Sequence, residues 1–280
     1  MLSKYLKLMV ILLSTGILSS VYSQNTLVEL ENTQNQAETL DFNSTYTTWL
    51  TNNLYKQGSS ENQLSQNHIL NGRLSLPGKY MISTSLWFTK DYENERKTLM
   101  RDSIVSLIRP MGTIFGEVNF TARGGLTLPF SKDSNTTAGL VTALRINPIF
   151  SYNASKFIKN LSIIYRPSVV YNIHEFKTRT DLRSNSDYIL SHRLTLAYGI
   201  TNALWLSLDN TYMRAWTYSG NTNDIYSLDQ SLSYNFTRDF SIFGGHSVGG
   251  NALDVNGQES DINVFDKDNS SFYLGLSYNF

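Results

Sequence analysis

The 280-residue chain contains no cysteine. Disulfides, thiol nucleophiles and cysteine-based zinc centres are excluded, and a chain exported through an oxidising compartment has nothing to mispair. Proline is scarce at five residues, and charged residues make up 16%. The formal net charge is zero, which gives no general electrostatic pull toward nucleic acid or anionic lipid. Also missing is an apolar run able to cross a bilayer of roughly 30 Å as a helix, which takes about twenty residues. The run from Leu8 to Leu18 is about eleven, so a helical membrane protein is excluded.

That short run belongs to a different device. Lys4 and Lys7 precede it and Val21-Tyr22-Ser23 follows it before Gln24, which predicts a secretory signal peptide over 1–23 that is removed. No cysteine follows, so lipoprotein anchoring is excluded. Loss of Lys4 and Lys7 lowers the basic residues from 23 to 21 against 23 acidic ones, a formal −2. Residues 24–40 are rich in Asn, Gln, Glu and Thr and read as a flexible periplasmic leader. The rest, 41–280, is the size of one domain.

What fills that domain is aromatic and hydroxylic. With 17 Tyr and 14 Phe among Ser, Thr and Asn, the composition suits strands with one greasy and one wet face. Twelve strands are predicted near 41–55, 63–76, 79–91, 100–109, 114–129, 136–149, 160–175, 187–200, 204–218, 225–236, 240–249 and 269–280. If 41–76 lay outside the sheet, ten would remain. The connections at Pro77-Gly78, Pro110 to Thr113, Thr201 to Ala203 and Thr237 to Asp239 are tight, and the intervening ones are mostly long and polar. That alternation predicts an all-β fold: a transmembrane antiparallel up-and-down β-barrel with short periplasmic turns and longer extracellular loops.

The last strand is the cleanest. Phe272, Leu274, Leu276, Tyr278 and Phe280 form one face at period two, against Ser271, Tyr273, Gly275, Ser277 and Asn279. This ending resembles that of the Gram-negative outer-membrane β-barrels, whose final strand typically closes on Phe after alternating apolar residues. The resemblance implies the bacterial outer membrane, with its lipid and the barrel-assembly machinery as partners; that machinery reads those five residues.

Function is expected on the inner face. Arg145, Arg166 and Arg193, on adjacent strands, predict a basic stripe, with Arg145 and Arg166 as cross-strand neighbours around a turn at 150–159. Arg123 and Glu117 on the fifth strand and Asp209 and Asp229 on the ninth and tenth complete the inward charges. Like charges side by side cost up to roughly 1 kcal/mol unless water, acids or a ligand relieve them. Two readings follow: a salt-bridged plug, favoured for Arg193 with Asp209, or an anion-attracting pore wall, favoured for Arg145 with Arg166. At fold level the chain is similar to the small twelve-stranded porins whose arginine-lined lumens pass acidic oligosaccharides, which implies small hydrophilic solutes.

An enzyme is not expected. His246-Ser247 invites comparison with the outer-membrane phospholipases, but that family places one residue between His and Ser, and adjacent strand residues point to opposite faces. Asp254, Glu259, Asp261, Asp266 and Asp268 lie in the loop before the last strand without EF-hand spacing, so no metal is expected. They do allow a surface-binding or structural barrel with a closed lumen as the rival to a diffusion channel. No Walker, Rossmann or nucleic-acid motif is present, and no cofactor is implied.

Overall fold

The computed structural model describes residues 40–55, 62–93, 96–253 and 259–280. The expected signal peptide and all but the last residue of the expected leader lie outside the described residues. The strands are β1 (Asp41–Asn53), β2 (Leu64–Leu76), β3 (Tyr80–Asp91), β4 (Thr98–Met100), β5 (Ser103–Ile114), β6 (Val118–Leu128) and β7 (Leu140–Ile146). There follow β8 (Ile149–Asn153), β9 (Leu161–His174), β10 (Ser186–Gly199), β11 (Leu204–Thr217), β12 (Thr222–Asn235), β13 (Phe240–Asn251) and β14 (Ser270–Asn279).

These fourteen segments make twelve staves. β4 and β5 both run along β3, and β7 and β8 both bridge β6 to β9, each pair forming one interrupted strand. The second interruption falls at Asn147-Pro148, where a residue without an N–H cannot serve two neighbours. Every stave is antiparallel to its neighbours, and β1 pairs with β14 from Thr45↔Asn279 to Asn53↔Ser271, which closes the barrel. The reciprocal bonds Phe280 N to Ser44 O (2.9 Å) and Ser44 N to Phe280 O (3.3 Å) extend that seam. Closure leaves no sheet edge to be satisfied in lipid.

Twelve staves confirm the count read from the pattern, and two connections move. The expected turn at Pro110–Thr113 is instead strand: β5 runs to Ile114 through a bulge between Pro110 and Gly112, and the chain reverses at 115–117. Bulges are where a strand tolerates proline, and Gly112 takes the positive φ of 97° that the kink requires. The expected turn at 150–159 also shortens to 154–160, because β8 carries the strand down to Asn153.

Period-two alternation decides which side chains meet what. Outward positions such as Leu107, Val169, Leu232, Phe272 and Leu274 are 46–61% exposed, an apolar belt that only lipid covers. Aromatics rim its periplasmic end, where Phe236 stacks on Phe240 and Tyr278 meets Phe280 edge-on. Inward positions are often small and hydroxylic, as with Ser106, Thr121, Thr195, Ser207 and Ser231, all buried. Among the inward residues that break that rule, Trp49, Ile69, Trp87, Phe243 and Tyr273 form one buried apolar cluster on β13, β14, β1, β2 and β3.

Gly275 makes room for the cluster. A Cβ there would sit 2.5 Å from Phe243 Cζ, from the Thr48 carbonyl oxygen and from Trp49 Cβ. Gly275→Ala is therefore expected to destabilise the barrel by about 1–3 kcal/mol through overpacking. A lowered midpoint of guanidinium unfolding in detergent micelles is the expected result, and an unchanged midpoint would contradict this packing.

Candidate functional site

The arginines expected in the lumen sit there by strand parity. Arg123, Arg145, Arg166 and Arg193 lie on β6, β7, β9 and β10, four consecutive staves. Arg166 pairs directly with Arg193, while Arg145 pairs with Gly125 on one side and Val170 on the other. The expected adjacency of Arg145 and Arg166 is thus corrected. Extension of the strand to Asn153 shifts the centre of the hairpin, and the residue opposite Arg145 becomes Val170.

Side by side, Arg166 and Arg193 share one hydrogen-bonded group. Arg193 binds Asp209 through two bonds, Nε to Oδ1 at 2.8 Å and Nη2 to Oδ2 at 3.1 Å. Thr195 Oγ1 donates to the same Oδ2 (2.7 Å) and accepts from Arg166 Nη2 (3.2 Å). One carboxylate therefore relieves the pair, directly for Arg193 and through a hydroxyl for Arg166. Asp209 stands opposite Asp229, whose Oδ1 accepts from Tyr273 Oη at 2.8 Å. Arg193 and Asp209 thus form an ion pair.

Arg145 differs. Its Nε is buried without a hydrogen-bond partner, and its side chain makes no hydrogen bond or ion pair among the described residues. Arg123, on the neighbouring stave, donates from Nη2 to Ser106 Oγ at 3.3 Å. Glu117, expected on the inner face beside Arg123, lies instead in the turn at 115–117 and is exposed. It forms an ion pair with Lys156 in the next periplasmic connection, which holds its carboxyl below the ordinary value.

Sequence reasoning missed the apolar half of the lumen. The cluster on β13, β14 and β1–β3 lies about half a turn of the barrel from the arginine staves. The Trp49 and Trp87 ring centroids are 6.4 Å apart, and Arg101 sits 5.7 Å from the Trp87 centroid. The signal was there: Trp49 and Trp87 occupy the same faces as Thr47 and Thr89, and an aromatic on the hydroxylic face of a strand is out of pattern. That is also why β1 alternates poorly, with Trp49 inward beside outward Leu50.

Histidine chemistry finds no partner set. Tyr46 Oη lies 2.7 Å from His68 Nδ1 and Tyr165 Oη 2.7 Å from His192 Nδ1, both pairs on the outer face. His246 projects outward between Phe265 and Phe272, and Ser247 is buried on the opposite face. Among the described residues no group of three or more His, Asp or Glu is placed to hold a metal.

Two extracellular connections are clasped over the rim. Arg179 binds Asp133 at 2.6 Å, Asn185 Nδ2 donates to the carbonyls of Ala138 (2.7 Å) and Phe176 (2.8 Å), and Glu175 N donates to Gly139 O (2.8 Å). Gly139, at a φ of 61°, lets the Phe176 ring pass within 2.4 Å of where a Cβ would stand. Within the clasp, hydrogen bonding from Arg183 holds Asp181 down at about 2.

No family model matches the chain, and no curated protein matches it by sequence. Solved structures do. An outer membrane channel from Pseudomonas putida F1 superposes with a TM-score of 0.54 at 9% identity, over 88% of this chain and 97% of that one. The NanC porin gives 0.54 at 12% identity over 84% and 98%, and the KdgM porin 0.50 at 8% identity over 85% and 99%. At such identities the likeness is one of fold, that of a bacterial outer-membrane β-barrel, spanning nearly the whole of each neighbour.

Two outcomes test this geometry. Asp209→Asn leaves Arg193 and Thr195 without their acceptor charge and is expected to cost about 2 kcal/mol, with Arg193→Met in the same chain recovering part of it. Unfolding midpoints of the single and double variants check this, and equal midpoints for Asp209→Asn and the parent would contradict it. For the clasp, a carboxyl lowered from 3.8 to about 2 stabilises the loop fully above the ordinary value and is lost as pH falls through about 2. Hydrogen exchange of 176–185, corrected for intrinsic rates, should show protection at pH 5 and its loss below pH 2. Equal protection at both would contradict it.

Proposed function

We propose that the chain is a passive diffusion channel of the bacterial outer membrane for small hydrophilic solutes, with a preference for anions. One observation supports this most: Arg145, inward on the lumen wall, carries a charge that no carboxylate among the described residues neutralises. A cation that evolution had placed to fill a plug would be paired, since an uncompensated charge facing protein is costly. Its Nε is buried, and where the outer N–H groups of the guanidinium meet lumen water they raise the local concentration of anions. Arg123, Arg166 and Arg193 extend the basic wall across four staves, and Asp209 with Thr195 ties Arg193 to Arg166. The neighbouring folds include a channel and porins, which agrees with solute passage without naming a solute.

A second reading, a closed-lumen barrel that binds partners through its loops, is favoured by the apolar cluster of Trp49, Ile69, Trp87, Phe243 and Tyr273. Bulky buried residues there narrow the lumen from one side. Reconstitution into planar bilayers separates the two. A channel gives discrete conductance steps and, under a KCl gradient, a reversal potential of anion-selective sign that moves toward zero or inverts in Arg145→Glu. Absence of steps would leave the closed-lumen reading, and steps with a selectivity insensitive to Arg145→Glu would overturn the role given to the arginine wall.

A further inference from the structure

The loop after β13 does not behave like its neighbours. Tyr226, Val248 and Ser270 occupy outward positions on β12, β13 and β14, in the same alternation as Leu228, Leu232, Phe272 and Leu274. Outward residues further along β14 are open to lipid, with Phe272 52% and Leu274 61% exposed, yet these three are only 4%, 0% and 1% exposed. Something covers them from outside the wall. Residues 261–266 do: Tyr226 Oη accepts from Asn263 N at 2.9 Å and lies 3.2 Å from its carbonyl oxygen, and the Phe265 ring stacks 5.6 Å from outward-facing His246.

We propose that this segment is a lipid-inserted flap, with Ile262, Val264 and Phe265 seated in the acyl chains of the outer leaflet. The three side chains are 47%, 63% and 62% exposed, Phe265 even while stacked on His246. They continue the apolar belt upward, since His246, under Phe265, is also in contact with Phe272 at 5.1 Å between ring centroids. The acids at the ends of the segment turn back on local amides: Asn263 Nδ2 donates to Asp261 Oδ1 (3.2 Å) and the Asp268 N–H to Asp266 Oδ1 (2.9 Å). Loop backbone is tolerated at membrane depth where protein satisfies it, and here Tyr226 and Ala252, whose carbonyl accepts from Asp261 N at 3.0 Å, do so. Residues 261–266 thereby lie outside the wall, away from the pore mouth.

The flap rests on the membrane-spanning reading, and the absence of cysteine makes both separately testable. Single-cysteine chains Val264→Cys, Phe265→Cys, Leu274→Cys and Ser219→Cys would be labelled with an environment-sensitive nitrobenzoxadiazole dye. Each is refolded, checked for the heat-modifiable mobility of a closed barrel, and placed in phosphatidylcholine vesicles with or without acyl-chain bromination. The expected result is quenching by brominated lipid at 264 and 265 of the same order as at 274, with aqueous iodide quenching only 219. If 274 is quenched by brominated lipid but 264 and 265 respond to iodide, the flap is overturned and the barrel stands. If 274 also responds to iodide, the membrane reading fails. Protection at 264 and 265 that disappears on dilution of protein in lipid would assign the surface to a second copy and likewise overturn the flap.

Discussion

In hydrocarbon a backbone N–H or C=O without a partner has no water to turn to, and this constraint governs the whole molecule. It requires the seam of β1 with β14, whose nine register pairs remove the last free edge. Once the sheet is closed, the pleat allows each strand only two environments. Leu107, Leu232 and Leu274 then belong outside, and Ser106, Ser231 and Ser207 belong inside, because a one-residue slip would exchange them. The loops answer to the same rule: they carry irregular backbone only beyond the lipid or where protein satisfies it, as Tyr226 does for Asn263.

The lumen that results is not uniform. One side carries four arginines, two of them tied together by Asp209 and Thr195, and the other carries an aromatic cluster that depends on the bare backbone of Gly275. A solute crossing the proposed channel would meet a charged wall and an apolar one at once. The clasp of Arg179 on Asp133 at the rim, together with the outward lie of residues 261–266, assigns the loops different duties around the mouth.

Much of the fold was legible in the sequence, because alternation in a two-environment sheet leaves a strong trace. Twelve staves, the outward face of β14 and the inward direction of Arg166, Arg193, Asp209 and Asp229 all follow from period two. What was hidden depended on register. Proline normally ends a strand, yet Pro110 is absorbed into a bulge by Gly112, which carried Glu117 out of the wall and into the turn. Asn153 prolongs its strand beyond Pro148, and that alone replaced Arg166 by Val170 opposite Arg145. Trp49 and Trp87 were overlooked inside because apolar residues were assigned to lipid by default, a default that a partly filled lumen does not obey.

The central claim is that Arg145 stands in a continuous water path through the closed barrel. The most direct measurement is the accessibility of a cysteine at that position, in a chain that has no other cysteine. Arg145→Cys in a planar bilayer, exposed to a membrane-impermeant anionic thiosulfonate, should react from either side with an irreversible change in single-channel current. A cysteine that stays unmodified from both sides, in a barrel whose closure is verified, would contradict that claim.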